Sequence, residues 1–181
     1  KTFKDVVGQS TSITILQKSI VQDRISQLYL FHGPRGTGKT SVARIFANAV
    51  NCISTTLDKP CGMCTVCTKI SEGKYPDIIE IDAASNRGVD DMQKLKDNAR
   101  IVPLFGQRKV YIIDEVHQLS STAFDSLLKI FEEPYSHLLF ILCTTETQKL
   151  PATIVSRCLR FDFFRLTINE IIQRLNYICE K

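Results

Sequence analysis

The 181-residue chain is 44% hydrophobic and 23% charged, which suits one mid-sized globular domain, or one and the start of another, and excludes a disordered chain. Its net charge of +4 comes from Lys and Arg interleaved with Asp and Glu, so charge alone makes no case for nucleic-acid binding. Its apolar runs are too short to span a bilayer and no leader-like segment opens it; the expectation is a cytoplasmic protein with no membrane partner, whose seven cysteines point to metal binding rather than disulfides.

The predicted elements alternate helix and strand, the pattern of a parallel sheet covered on both faces. Residues 12–24 space Ile13, Leu16, Ile20 and Val21 along one face of a helix. Residues 28–32 form a short apolar run, hence a buried strand, and 39–50 read as a helix with Val42, Ile45, Phe46 and Ala49 turned inward. Between them stands Gly33-Pro34-Arg35-Gly36-Thr37-Gly38-Lys39-Thr40, a complete G-x-x-x-x-G-K-[ST] loop in a strand–loop–helix context. Its glycines let backbone N–H groups turn around phosphate oxygens, where a side chain would block the approach. In that chemistry Lys39 meets the β- and γ-phosphates, Thr40 ligates Mg²⁺, and the helix N-terminus adds partial positive charge. The nucleotide-binding stretch runs from Gly33 through Ser41.

Residues 51–72 interrupt the alternation. Here Cys52, Cys61, Cys64 and Cys67, spaced C-x8-C-x2-C-x2-C around Pro60 and Gly62, can wrap one zinc ion tetrahedrally. Four thiolates leave no position for water, so the expected site is structural; chance or redox cysteines are the alternative. The rhythm resumes with a strand at 77–81, a polar helix at 90–100 and a strand at 109–113. That last strand ends in Asp114 and Glu115, at the sheet edge where the P-loop also lies. Asp114 is expected to hold Mg²⁺ through its water shell, and Glu115 to orient and deprotonate the attacking water. A helix at 121–133 is stopped by Pro134, a strand follows at 138–143, and 158–161 reads as a fifth. Thr167 and Glu170 form a capping-box signature that opens a last helix running to 178. Cys143, Cys158 and Cys179 read as small core residues, and His117, far in sequence from the four thiols, as a surface or core histidine. The fold class that follows is α/β: a P-loop NTPase with a five-stranded parallel sheet flanked by helices over 1–165, the four-Cys insertion at 51–72, and the start of a second, helical unit at 166–181.

Together these motifs resemble the gamma/tau family of bacterial DNA polymerase III, the AAA+ ATPases of the sliding-clamp loader. The likeness runs through Thr2-Phe3-Lys4-Asp5-Val6-Val7-Gly8-Gln9, the P-loop, the four-Cys insertion, Asp82-Ala83-Ala84-Ser85-Asn86 and Asp114-Glu115-Val116-His117. It continues through Leu127-Leu128-Lys129, Glu132-Glu133-Pro134, Thr144-Thr145, residues 148–151 and Ser156-Arg157-Cys158. The four-Cys insertion narrows it from AAA+ proteins at large to this family; Gln118 departs from the pattern, where an apolar residue is common.

The resemblance implies ATP with Mg²⁺ and one structural Zn²⁺ as cofactors. It implies that Thr145 senses the γ-phosphate, that Arg157 is an arginine finger acting in trans on a neighbour's ATP, and that Val6 and Val7 pack the adenine. The implied partners are other clamp-loader subunits, the sliding clamp, primer–template DNA, and the polymerase core through C-terminal regions beyond this segment. Helix N-termini near Asn86-Arg87 and Ser120-Ser121 are the candidate backbone-phosphate contacts. The chain is expected to begin inside the family's N-terminal segment and stop in the first lid helix, leaving the lid arginine and the oligomerisation collar outside it.

Asp114-Glu115-Val116-His117 also fits a DExH helicase box, yet such helicases need a second core domain for which the chain has neither length nor motifs. Intact Lys39, Thr40, Asp114 and Glu115 argue against a nucleotide-binding scaffold that never hydrolyses. A zinc-based nucleic-acid module is disfavoured by the small, weakly basic insertion.

Overall fold

The computed structural model describes residues 1–85 and 89–179. Five strands, β1 (Leu28–His32), β2 (Ile78–Asp82), β3 (Lys109–Asp114), β4 (Leu138–Thr144) and β5 (Leu159–Asp162), form one parallel sheet in the order β2-β3-β4-β1-β5. Around it lie α1 (Ser10–Val21), α2 (Lys39–Asn51), α3 (Thr65–Ser71), α4 (Val89–Ala99), α5 (Ser121–Glu132), α6 (Ala152–Val155) and α7 (Ile168–Cys179).

The three inner strands are the most apolar runs of the sequence. β4 is buried along its whole length, and β1 and β3 in all but their last residue. Strand alternation divides β4 between two cores: Leu138, Phe140 and Leu142 face one side, Leu139, Ile141 and Cys143 the other. Leu16 of α1 and Val42, Phe46 and Val50 of α2 cover the second side. Met92 and Leu95 of α4 and Phe124 and Leu127 of α5 cover the first. Each fully buried Phe or Leu contributes roughly 1.5–3 kcal/mol, so these two layers hold the inner strands. β2 and β5 are the edges, with only partial burial. Among the described residues no helix is long and apolar enough to cross a membrane.

This topology sets the carboxyl ends of β1, β3 and β4 side by side, through pairs such as His32↔Thr144 and Ile113↔Leu142. The loops leaving them carry the P-loop, Asp114-Glu115 and Thr145, so three stretches distant in sequence converge at one edge.

Several expectations are corrected in detail. α1 starts at Ser10, and Val21, its last residue, is exposed, whereas Ile13, Leu16 and Ile20 pack on the core as expected. Asp77 precedes β2 rather than opening it; its buried carboxylate accepts the backbone N–H groups of Leu104, Phe105 and Gly106 at 2.8–3.2 Å and anchors that turn. β5 begins at Leu159, one residue after Cys158, whose thiol instead donates to the Ile154 carbonyl. Cys143 is fully buried and Cys158 partly, but Cys179 is exposed on α7 beside exposed Ile171, Ile172 and Leu175 and is not a core residue. α3 lies inside the insertion, where no helix was expected; the Cys64 thiol caps it by accepting the Cys67 N–H. The capping box at Thr167 and Glu170 is present, with the Thr167 N–H on Glu170 Oε2 at 2.7 Å and the Glu170 N–H on Thr167 Oγ1 at 3.3 Å. Ser120 N-caps α5 by accepting the Ala123 N–H, while Asn86-Arg87 lies outside the described residues.

Candidate functional site

The P-loop is built on the end of β1. The Gly33 N–H donates to the Thr144 carbonyl at 3.2 Å, which ties the loop's start to β4. Gly36 and Gly38 take φ +77° and +92°, and a Cβ at either would meet no protein atom within 4 Å. Glycine is demanded there by the backbone turn and not by packing. Thr37 Oγ1 donates to the Pro34 carbonyl at 2.8 Å and closes the loop. Buried Lys39 extends across it, its Nζ donating to the Gly33 and Pro34 carbonyls, both at 2.8 Å. Burial lowers the pKa of Lys39, opposed by the nearby charges of Glu115 and Asp114. α2 starts with no side-chain cap, so the N–H groups of its first turn have no side-chain acceptor.

Opposite the loop, Thr40 Oγ1 donates to Asp114 Oδ2 at 2.7 Å. Asp114 Oδ1 accepts the Glu115 N–H at 3.0 Å. Glu115 holds a left-handed backbone (φ +47°), uncommon outside glycine, and this turns its side chain back toward the loop. Arg35 Nε lies 3.3 Å from Glu115 Oε1, and Thr145 Oγ1 lies 3.5 Å from Oε2. Arg35, Gly36, Gly38, Lys39, Thr40, Ser41, Asp114 and Glu115 line one cleft of about 260 Å³. The donor set fits a magnesium–polyphosphate. A hydroxyl and a carboxylate in contact supply hard oxygen ligands, a buried ammonium faces them, and a glycine loop abuts an uncapped helix end.

The second cluster lies in the insertion. The Sγ atoms of Cys52, Cys61, Cys64 and Cys67 are within 4.8 Å of one another, with Cys52–Cys64 and Cys61–Cys67 both at 4.0 Å. Four thiolates around zinc at about 2.3 Å stand about 3.8 Å apart, so this set fits a tetrahedral metal. Backbone N–H groups of Cys61, Cys64 and Cys67 point at the sulfurs of Cys52, Cys61 and Cys64, at 3.3–3.5 Å. The N–H groups of Met63 and Cys64 bring the Cys61 thiol down to about 6, favouring its thiolate, whereas burial pushes the Cys52 and Cys67 thiols up.

The family profile described as DNA polymerase III, delta subunit, matches residues 8–167. The chain belongs to that family. It is 53% identical over 178 residues to the DNA polymerase III subunit tau of Bacillus subtilis, covering 98% of this chain and 32% of that one. It is 49% identical over 178 residues to the subunit tau/gamma of Haemophilus influenzae, covering 98% and 26%. The chain thus spans about a third or less of the length of these relatives. A solved DNA polymerase III gamma subunit-related protein from Thermotoga maritima superposes with a TM-score of 0.63 at 21% identity, over 86% of this chain and 46% of that one, a likeness of fold.

Within this DNA polymerase III family chain, the structure joins most of the expected site residues and separates others. The P-loop, Asp114, Glu115 and Thr145 converge. Val6 and Val7 are half-buried, with Val6 packed on the α1–α2 core. Arg157 lies elsewhere: its guanidinium donates to the Thr153 carbonyl at 2.8 Å and sits 3.5 Å from Glu132. Sequence reasoning missed Gln9, whose amide spans the Phe164 carbonyl at 2.6 Å and the Thr37 carbonyl at 3.4 Å. It also set aside His117, which packs against Glu115, Thr144 and Glu146. Gln9 carries no local signal, because its partners come from other parts of the chain; His117 has Glu115 two residues away but meets Thr144 and Glu146 only in the fold.

Proposed function

We infer that the chain is the ATP-binding and ATP-hydrolysing part of a DNA polymerase III clamp-loader subunit, which uses ATP to open the sliding clamp and load it onto primed DNA in the bacterial cytoplasm. The observation that carries this reading is the contact of Thr40 with Asp114 at 2.7 Å beside Glu115, inside a glycine-built cleft. Within the nucleotide-binding stretch 33–41, Lys39 and the N–H groups of residues 35–41 bind the phosphates, and the half-buried Val6 and Val7 flank the adenine. Thr40 and Asp114 hold Mg²⁺, which neutralises charge building on the phosphate oxygens. Glu115, steered by Arg35 and Thr145, takes the proton of the attacking water. Cys52, Cys61, Cys64 and Cys67 hold one structural zinc, which fixes the insertion. The remaining clamp-loader subunits, the clamp, primer–template DNA and the polymerase core are its partners.

Arg157, half-exposed and held by Thr153 and Glu132, completes the site of a neighbouring subunit. An arginine so placed accelerates phosphoryl transfer by roughly 10³–10⁵-fold. The test mixes full-length Arg157→Ala subunits with Glu115→Gln subunits in assembled loader. Each variant alone should have little turnover, and the mixture should recover part of it, because some interfaces pair an intact finger with an intact Glu115. Demonstrably mixed oligomers with no recovery overturn the finger, and a wild-type assembly without ATP turnover overturns the whole reading.

A further inference from the structure

His117 sits in the turn after Glu115, and its side chain is only 6% exposed although both ring nitrogens are polar. Nδ1 lies 3.0 Å from Thr144 Oγ1 and 3.5 Å from Glu115 Oε2, and Nε2 lies 3.3 Å from Glu146 Oε1. These partners belong to two strand ends. Glu115 leaves β3, whereas Thr144 and Glu146 belong to β4 and the turn that follows it. The β3–β4 register ends at Ile113↔Leu142, so beyond that pair side chains must carry any connection between the two loops.

The ring is fixed from both sides. Glu146 is held by Lys149 Nζ at 2.9–3.0 Å and gives its backbone N–H to Thr144 Oγ1 at 2.9 Å. A carboxylate only accepts, so the Glu146 contact calls for a proton on Nε2; with it, Thr144 and Glu146 close a bracket around the imidazole. Glu115 Oε2 rests against that bracketed ring, with Thr145 Oγ1 3.5 Å from the same oxygen.

We propose that His117 is a positioning residue for Glu115, holding the carboxylate that activates water in step with the end of β4 that carries Thr145. The proposal rests on the ATPase reading above. Glu115 has a left-handed backbone and an ion pair to Arg35, whose side chain is 79% exposed. The His117 contact, at 3.5 Å, is longer than the 3.3 Å Arg35 pair, but it is buried, whereas the exposed pair is screened by water. Removing the imidazole lets the carboxylate leave its line to the water without disturbing Lys39 or the glycine turn, so the effect falls on turnover and not on ATP affinity.

The test uses full-length protein in its assembled loader, with steady-state ATPase and titration of a fluorescent ATP analogue. His117→Ala should lower kcat about 10-fold or more, equivalent to about 1.4 kcal/mol, while the ATP-analogue Kd stays within about two-fold. His117→Asn, whose amide reaches the Nδ1 position, should keep the Thr144 contact and recover part of kcat. Glu146→Ala, which removes one side of the bracket, should lower kcat less, and its effect should not add to that of His117→Ala. A wild-type assembly with full activity beside a His117→Ala assembly within two-fold of it overturns this proposal alone. So do Ala and Asn variants that lose kcat equally and melt equally early, since that is the signature of a merely structural histidine.

Discussion

Replacing Gly38 with Ala puts a methyl group where no protein atom lies within 4 Å, on backbone at φ +92°. The left-handed backbone costs an L-residue roughly 1–2 kcal/mol, and the stiffer unfolded chain offsets roughly 0.4–1 kcal/mol of that. A net loss of about 1 kcal/mol lowers the melting temperature by about 3 °C at this chain size. The same methyl would stand among the N–H groups that receive phosphate. Losing two hydrogen bonds to a charged ligand, at roughly 1.5–3 kcal/mol each, weakens ATP binding roughly 10²–10⁴-fold. Gly33→Ala is the contrast, because its methyl would collide with the Phe163 carbonyl and lie 2.9 Å from the Phe163 Cβ, a residue in the α1–α2 core. Overpacking of that kind costs roughly 1–3 kcal/mol, so its melting temperature should fall by up to roughly 10 °C. Calorimetry and titration of a fluorescent ATP analogue read the two effects separately. A Gly38→Ala protein that melts about 3 °C early yet binds ATP within about three-fold of wild type refutes the phosphate cradle.

Two further outcomes follow from the same geometry. Reduced, freshly purified protein should contain one zinc per chain by elemental analysis, and Cys67→Ser should lose most of it; reduced protein without metal refutes the site. Asp77→Ala should lower stability by about 3 kcal/mol, read as a urea midpoint about 1.5 M lower, because three backbone N–H groups lose a charged acceptor; a shift below about 0.3 M contradicts that anchoring role.

What was legible in the sequence is what is written in consecutive residues. The P-loop carries its own conformational demand in Gly36 and Gly38, and the apolar runs of β1, β3 and β4 place the following acids and threonines at one edge without knowledge of strand order. Side-chain partnerships were not legible. Asp77 reads as the first residue of a strand until its carboxylate is seen to gather the N–H groups of residues 104–106. His117 reads as an unremarkable histidine until β3 and β4 are set side by side and bring Thr144 and Glu146 to it. α3 was invisible for a different reason: its cap is a thiol, Cys64, so the residue that starts the helix has the look of a metal ligand and none of the usual capping signature.

One helix relates the two halves of the molecule. α2 begins at Lys39 under the P-loop and ends at Asn51, next to Cys52, the first of the four thiols. Thirteen residues of helix span about 20 Å, and its buried Val42, Phe46 and Val50 lock it onto the sheet for that whole length. Its far end is also tied down: Asn51 Oδ1 accepts the Arg108 N–H at 3.0 Å, just before β3, and Lys69 of α3 lies over the Phe105 ring at 3.6 Å from its centre. The insertion is therefore fastened to the loop between α4 and β3, on the side of the sheet away from the phosphate cleft. The apolar packing that holds α2 on the sheet includes none of the four clustered thiols, which touch the helix through a polar contact, Cys67 Sγ donating to Asn48 Oδ1 at 3.3 Å. Loss of metal should loosen residues 52–74 and the turn under Phe105 first, while leaving the Thr40–Asp114 contact and nucleotide affinity close to their original values. The cluster and the cleft are joined by a rigid strut, but they rest on separate sets of contacts.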